Sequence, residues 1–232
     1  EWRRRSKINL LNFKQKLTEL EHRYRPKIKK METPPMDSLS QMISKAHRLR
    51  EAAAYAEAEK IYLEVIRNDH RNSEAYFGLG LLYEANDDYA QARQALEYAT
   101  HLKKDEPAIF AALGRVALGE SRYGEARQAL QSAIELSPLA LEYRLALGDL
   151  EIMDKAYPQA CEAFQGAVDL EPANPRYLDR LLEACILAGE KKAAVDNLQR
   201  LTEVNPDNQK LDEFRKRIIE MSRKRKKADG GV

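Results

Sequence analysis

The sequence predicts an all-α chain built as a solenoid of five helical hairpins, and three observations carry that reading. Within 232 residues there are only 10 Gly and 9 Pro, against abundant Ala, Leu, Glu, Lys and Arg, the composition of an all-helical protein. A period of 34 residues runs without insertion or deletion through five copies, 39–72, 73–106, 107–140, 141–174 and 175–208. Each copy carries two apolar stripes at helical spacing, separated by a short polar turn such as Asn86-Asp87-Asp88. A fixed period of this kind marks an architecture in which no hairpin buries both its faces alone, so stacked neighbours complete the core.

The second half of each copy shows the period most clearly. Tyr157, Ala160, Phe164, Ala167 and Pro172 stand 34 residues beyond Tyr123, Ala126, Leu130, Ala133 and Pro138. Earlier copies have Tyr89, Ala92, Leu96, Ala99 and Lys104, then Tyr55, Ala58, Tyr62, Val65 and His70; the last has Lys191, Ala194, Leu198, Leu201 and Pro206. In the first half, Leu79-Gly80, Leu113-Gly114 and Leu147-Gly148 recur, with Lys45-Ala46 and Leu181-Leu182 in the outer copies. Gly and Ala are expected where two helix backbones approach closely, as at Gly80 against Ala92. The recurrent Tyr is expected to wedge between hairpins as a core residue. The terminal Pro starts the turn to the next hairpin because it cannot continue a helix.

The run Tyr76, Leu79, Gly80, Tyr83, Tyr89, Ala92, Leu96 and Ala99 resembles the tetratricopeptide repeat (TPR) motif, and the resemblance covers 39–208. It implies a right-handed α-solenoid and a non-catalytic protein-binding scaffold. Three positions depart from the motif: Lys45 for the usual Leu, Arg144 for an aromatic, and Glu151 where a large apolar residue is common. They bear on local packing.

The flanks read separately. Residues 209–232 hold a last helix over 209–227, with Leu211, Phe214, Ile218 and Ile219, and Met221 as a further candidate, on the side that caps the fifth hairpin, followed by a basic tail. Residues 1–38 hold an amphipathic helix over 7–25, with Leu10, Phe13, Leu17, Leu20 and Tyr24 three and four apart, then a Pro-containing linker. That helix is open to self-association, to folding back on the solenoid, or to lying near a membrane surface. Trp2-Arg3-Arg4-Arg5 has the pattern of a membrane interface, an aromatic followed by positive charge. It raises the expectation of an anchor upstream of Glu1 and of a location in the cytoplasm, at the cytoplasmic face of a membrane.

Charge narrows the function classes. Residues 1–36 carry 11 Lys/Arg against 4 Asp/Glu and 209–232 carry 9 against 4, whereas 37–208 carry 19 against 29. An acidic body with basic ends argues against nucleic-acid binding by the body; the ends alone could meet anionic lipid or nucleic acid. Cys161 and Cys185 have no second Cys or His at metal-ligand spacing, which speaks against a zinc site or disulfide framework. Cys185 is expected as a small buried thiol, with Cys161 on a neighbouring helix. No Gly-rich phosphate loop and no catalytic triad context occurs, so no enzyme, cofactor or metal is expected.

The family resemblance implies a site. First helices of successive TPR hairpins line the concave surface, which by position gives Ile43, His47 and Arg50; Glu74, Phe77, Leu81 and Glu84; Ala108, Ala111, Arg115 and Leu118; Glu142, Leu145, Asp149 and Ile152; and Arg176, Asp179, Glu183 and Ile186. The partner-binding residues expected among them are Phe77, Leu81, Glu84, Arg115, Leu118, Glu142, Leu145, Asp149 and Ile152, an apolar strip flanked by charge and suited to a helix or extended peptide. The alternative, that several of these pack between hairpins or under the 7–25 helix, stays open. Chaperone-binding members of the family clamp a terminal carboxylate with Lys, Asn and Arg. Phe77, Ala111 and Leu145 stand at the Lys position and Leu81, Arg115 and Asp149 at the Asn position, which argues against such a clamp.

Overall fold

In a computed structural model, residues 36–229 are described, with side chains over 38–221; the predicted 7–25 helix lies outside these residues. Among them are eleven helices and no strand. They are α1 (Met36–Glu51), α2 (Tyr55–Asn68), α3 (Ser73–Ala85), α4 (Tyr89–Leu102), α5 (Pro107–Gly119), α6 (Tyr123–Leu136), α7 (Leu141–Met153), α8 (Tyr157–Leu170), α9 (Pro175–Ala188), α10 (Lys191–Val204) and α11 (Leu211–Asp229). Two compact units divide within α6, one ending at Ala129 and the other beginning at Leu130.

The turn inside each hairpin repeats with the sequence period. Ala53, Asp87, Ser121, Lys155 and Gly189 all have φ between 58° and 77°, 34 residues apart. At each, the following N–H reaches back five residues to a carbonyl, as Ala54 N–H to Leu49 O at 2.8 Å and Glu190 N–H to Cys185 O at 3.0 Å. The left-handed residue itself bonds three back, as Ala53 to Arg50 O at 3.0 Å and Gly189 to Ile186 O at 3.2 Å. This pair of bonds is the Schellman motif, which satisfies the last carbonyls of a helix while reversing the chain. Between hairpins the entry is capped where the sequence allows: Asn72 Oδ1 accepts from Ala75 N–H at 3.0 Å, and Asn174 Oδ1 from Arg176 N–H at 3.1 Å.

In the first unit, α1 to α5 pack each on the next helix, and α3 also on α1 and α5. Their core gathers Ile43, Ala46, Tyr62, Val65, Tyr76, Leu79, Leu96, Ile109 and Val116. Gly80 is required by a close approach, though its nearest neighbour is Leu96 rather than the expected Ala92. A Cβ there would lie 2.6 Å from Leu96 Cγ and 3.4 Å from the Ala92 carbonyl. Lys45 is exposed, because no hairpin precedes α1 among the described residues to cover the face that Leu79 buries.

In the second unit, α7 to α11 pack in the same serial way, with α9 also against α11. Phe164, Leu178, Leu182, Cys185 and Leu201 form its core together with Leu211, Phe214 and Ile218 of α11. The predicted capping face is therefore present, with Met221 half-buried against it. Ile219 is the correction: it is 53% exposed, because it stands one residue, about 100° of helix, past Ile218. At Gly148 a Cβ would lie 2.4 Å from Phe164 Cε1, so that glycine makes room for the ring. Arg144, at the position of the family aromatic, reaches across to α8: its Nη1 would be 2.7 Å from a Cβ at Gly166, while Nη2 donates to Pro138 O at 3.1 Å. Glu151 is 2% exposed, so a carboxylate does occupy the apolar position.

Candidate functional site

The predicted groove residues fall on first helices in both units. In the first, Phe77, Leu81 and Glu84 follow one another on one face of α3, four and three residues apart. Phe77 and Leu81 are half-buried against the core, so each ring or methyl group is seated below and open above. Leu118 is half-buried on α5. The flanking charges are joined rather than free: Arg115 donates from Nε to Glu84 Oε1 at 2.5 Å and from Nη2 to Oε2 at 2.9 Å. This two-pronged pair ties α3 to α5 across 31 residues and presents a planar, neutral surface beside the apolar strip.

Three longer-list residues do not line a surface. Ile43 (2% exposed), Ala111 and Ile186 are buried, because first helices also pack on one another and rotate these positions inward. His47 leans on Tyr62, with ring centroids 5.8 Å apart; burial and then the charge of Arg50 lower its pKa. The recurrent Tyr55, Tyr89, Tyr123 and Tyr157 are half-buried rather than core. Tyr89 shows why: its ring covers Gly119 of the next hairpin, where a Cβ would lie 2.5 Å from Cζ, and its hydroxyl stays outside, donating to Asp87 Oδ1 at 2.7 Å.

In the second unit, Leu145 and Ile152 are half-buried against the core on α7, while Glu142 and Asp149 are exposed. Asp149 accepts from Arg180 Nη1 of α9, with both carboxylate oxygens at 2.7 Å, and the Arg180 guanidinium lies 5.8 Å from the Phe164 ring centroid. The same kind of link joins α9 to the capping segment: Lys210 to Asp179 at 2.7 Å and Arg217 to Glu183 at 3.5 Å. Sequence reading missed Arg180, Lys210 and Arg217 as partners of the groove carboxylates. The signal was present as a carboxylate followed by a base 31 to 34 residues later, one repeat on. An open recess over the turn of residues 171–176 shares only Arg176 with the predicted lining.

Helix packing also joins residues that sequence spacing keeps apart. Cys161 of α8 and Cys185 of α9 are buried, and their sulfurs lie within 4.8 Å of each other and of a Glu190 carboxylate oxygen. A hydrogen bond between the thiols is the largest influence on both: it holds Cys161 protonated, with its pKa raised, and lowers that of Cys185. Asn197, a buried amide, approaches Cys185 Sγ at 4.0 Å.

Comparison with known proteins follows the fold. The tetratricopeptide repeat profile matches residues 111–175 and, in a second form, 61–94. None of the curated proteins matches the chain in sequence. Among solved structures, YrrB, described as a TPR protein with an unusual peptide-binding site, superposes with a TM-score of 0.62 at 20% identity, over 86% of this chain and 97% of its own. MamA superposes with a TM-score of 0.64 at 20% identity, over 75% and 95%. MamA of Desulfovibrio magneticus RS-1 gives 0.62 at 20% identity, over 75% and 98%. At these identities the likeness is one of fold.

Proposed function

We propose that the chain, which carries tetratricopeptide repeats, is a protein–protein interaction scaffold whose first-helix faces bind a partner segment as a helix or an extended peptide. The observation that carries this reading is the arrangement on α3 and α5. Phe77, Leu81 and Leu118 are apolar where a merely solvated helix face would be polar. They sit half-open beside the Glu84–Arg115 pair, whose charges already compensate each other. Leu145 and Ile152, with Glu142 and Asp149, repeat the pattern on α7. The peptide-binding site named for YrrB supports the class of ligand. A free carboxylate is disfavoured as the recognised group: Ala111 is buried and Asp149 is itself anionic.

The test is binding of peptides selected against the full chain from a random display library. Phe77→Ala is expected to weaken them by about 30-fold, which corresponds to ~2 kcal/mol, with helicity by circular dichroism unchanged. Leu145→Glu separates the two faces, since a peptide confined to α3 and α5 ignores it. Neutralising Arg223 to Lys227 is expected to leave affinity within about twofold and its salt dependence shallow. Binding that survives both groove substitutions but is lost with the basic run would transfer the site to the termini, as an adaptor for anionic lipid or nucleic acid.

A further inference from the structure

The scaffold reading leaves the dithiol of the second unit unused. We propose that Cys161, Cys185 and Glu190 form a binding site for one thiophilic divalent cation of the Zn²⁺ class, with two sulfurs and one carboxylate oxygen as ligands. All three ligand atoms lie within 4.8 Å of one another. Around a tetrahedral zinc, with bonds of about 2.3 Å to sulfur and about 2.1 Å to oxygen, ligand atoms stand roughly 3.5–3.8 Å apart. The triangle must therefore tighten by at most about 1 Å, and the group best able to move is Glu190, exposed at the turn between α9 and α10.

The three ligands come from three different places in the chain, and each is anchored. Cys161 is fixed on α8 and Cys185 on α9, in the core that also holds Phe164 and Leu182. Glu190 follows directly on Gly189, whose left-handed turn (φ 77°) closes the Schellman bond from Glu190 N–H to Cys185 O at 3.0 Å. That bond ties the third ligand's backbone to the second ligand's own residue. Asn197 enters from α10. It is 5% exposed, with its amide also donating to Ala193 O at 3.0 Å, and its N–H toward Cys185 Sγ at 4.0 Å favours the thiolate a metal needs. Cys161 and Cys185, 7% and 1% exposed, exclude water from two sides, while exposed Glu190 leaves a path for the ion to enter. Binding exchanges the Cys161 S–H proton, and any proton on Cys185, for the cation, with no change of oxidation state. Three protein ligands leave the fourth position to water.

The experiment uses the reduced, metal-free full chain titrated with Co²⁺, whose thiolate complexes absorb in the near ultraviolet. One equivalent is expected to bind, giving a sulfur-to-metal charge-transfer band that Zn²⁺ abolishes by displacement. Cys161→Ser and Cys185→Ser are each expected to remove the band. Glu190→Gln, at a surface turn where folding is unaffected, is expected to weaken binding about tenfold or more. Circular dichroism of each variant separates loss of ligand from loss of fold. No band in the reduced wild-type protein overturns the proposal, as does a band that survives Cys185→Ser in a folded protein, or Glu190→Gln binding as tightly as wild type. If the band is absent and both thiols are instead lost together to a mild oxidant, the pair is a redox dithiol and the cation assignment fails.

Discussion

Tyr62 shows how a single buried atom sets a local stability. Its ring is fully buried in the first unit, and its hydroxyl has no hydrogen-bond partner, a state that costs roughly 1–3 kcal/mol. Tyr62→Phe keeps the ring and removes the orphaned group, so it is expected to stabilise the first unit by about 1 kcal/mol, read as a higher Tm; a lower Tm would show that the hydroxyl is bonded in solution. The same burial raises the Tyr62 pKa from 10 to about 12. The folded state therefore keeps this proton where the unfolded state has lost it. The stability tied to the neutral phenol is complete below pH 10 and is lost as pH rises toward 12. Tyr62→Phe is expected to flatten the alkaline decline in Tm over that window. At this scale the sequence identified Tyr62 as a periodic core position, but not its unsatisfied oxygen, because satisfaction depends on which neighbours point at it.

At the scale of elements, the hairpin turns impose one backbone conformation on five different residues. A left-handed conformation costs a non-glycine residue roughly 1 kcal/mol, and Ala53, Asp87, Ser121 and Lys155 all adopt it, leaving only Gly189 unstrained. Ala53→Gly is expected to raise stability by ~0.5–1 kcal/mol. Gly189→Ala is expected to lower it by ~1 kcal/mol, purely through the backbone, since a Cβ there meets nothing within 4 Å. Chemical denaturation of the two variants checks the opposite signs; equal signs would mean that the turn is not held in solution. The period located these turns, but residue type did not mark them as left-handed. Ala53, Ser121 and Lys155 carry no such signal, and the Schellman bonds that enforce the geometry come from helices already formed.

Across the whole molecule, the principal helix contacts within each unit are with the next helix or the next but one, so stability is expected to be a sum of local terms. Phe214, 1% exposed, is the largest residue by which α11 covers the last hairpin. Phe214→Ala is expected to cost about 3–5 kcal/mol and to act locally. Hydrogen exchange should quicken in α9 to α11, with α1 to α5 unchanged, and uniform loss of protection over 36–221 would contradict it. No described helix is long and apolar enough to cross a membrane.

The sequence by itself determined the helical class, the number and order of the hairpins, the capping face of Leu211, Phe214 and Ile218, and the positions from which a groove would be read. The first three follow from apolar periodicity along one chain, which a single hairpin already obeys; the groove positions follow from the resemblance to tetratricopeptide repeats. Only tertiary structure decided that Glu84 is bound to Arg115 and Asp149 to Arg180, that Ile43 and Ala111 are buried, and that Cys161, Cys185 and Glu190 meet. Each of these depends on how one hairpin is rotated against the next. That rotation is set by side-chain fit between successive hairpins, such as Tyr89 against Gly119, and spacing within a helix does not contain it.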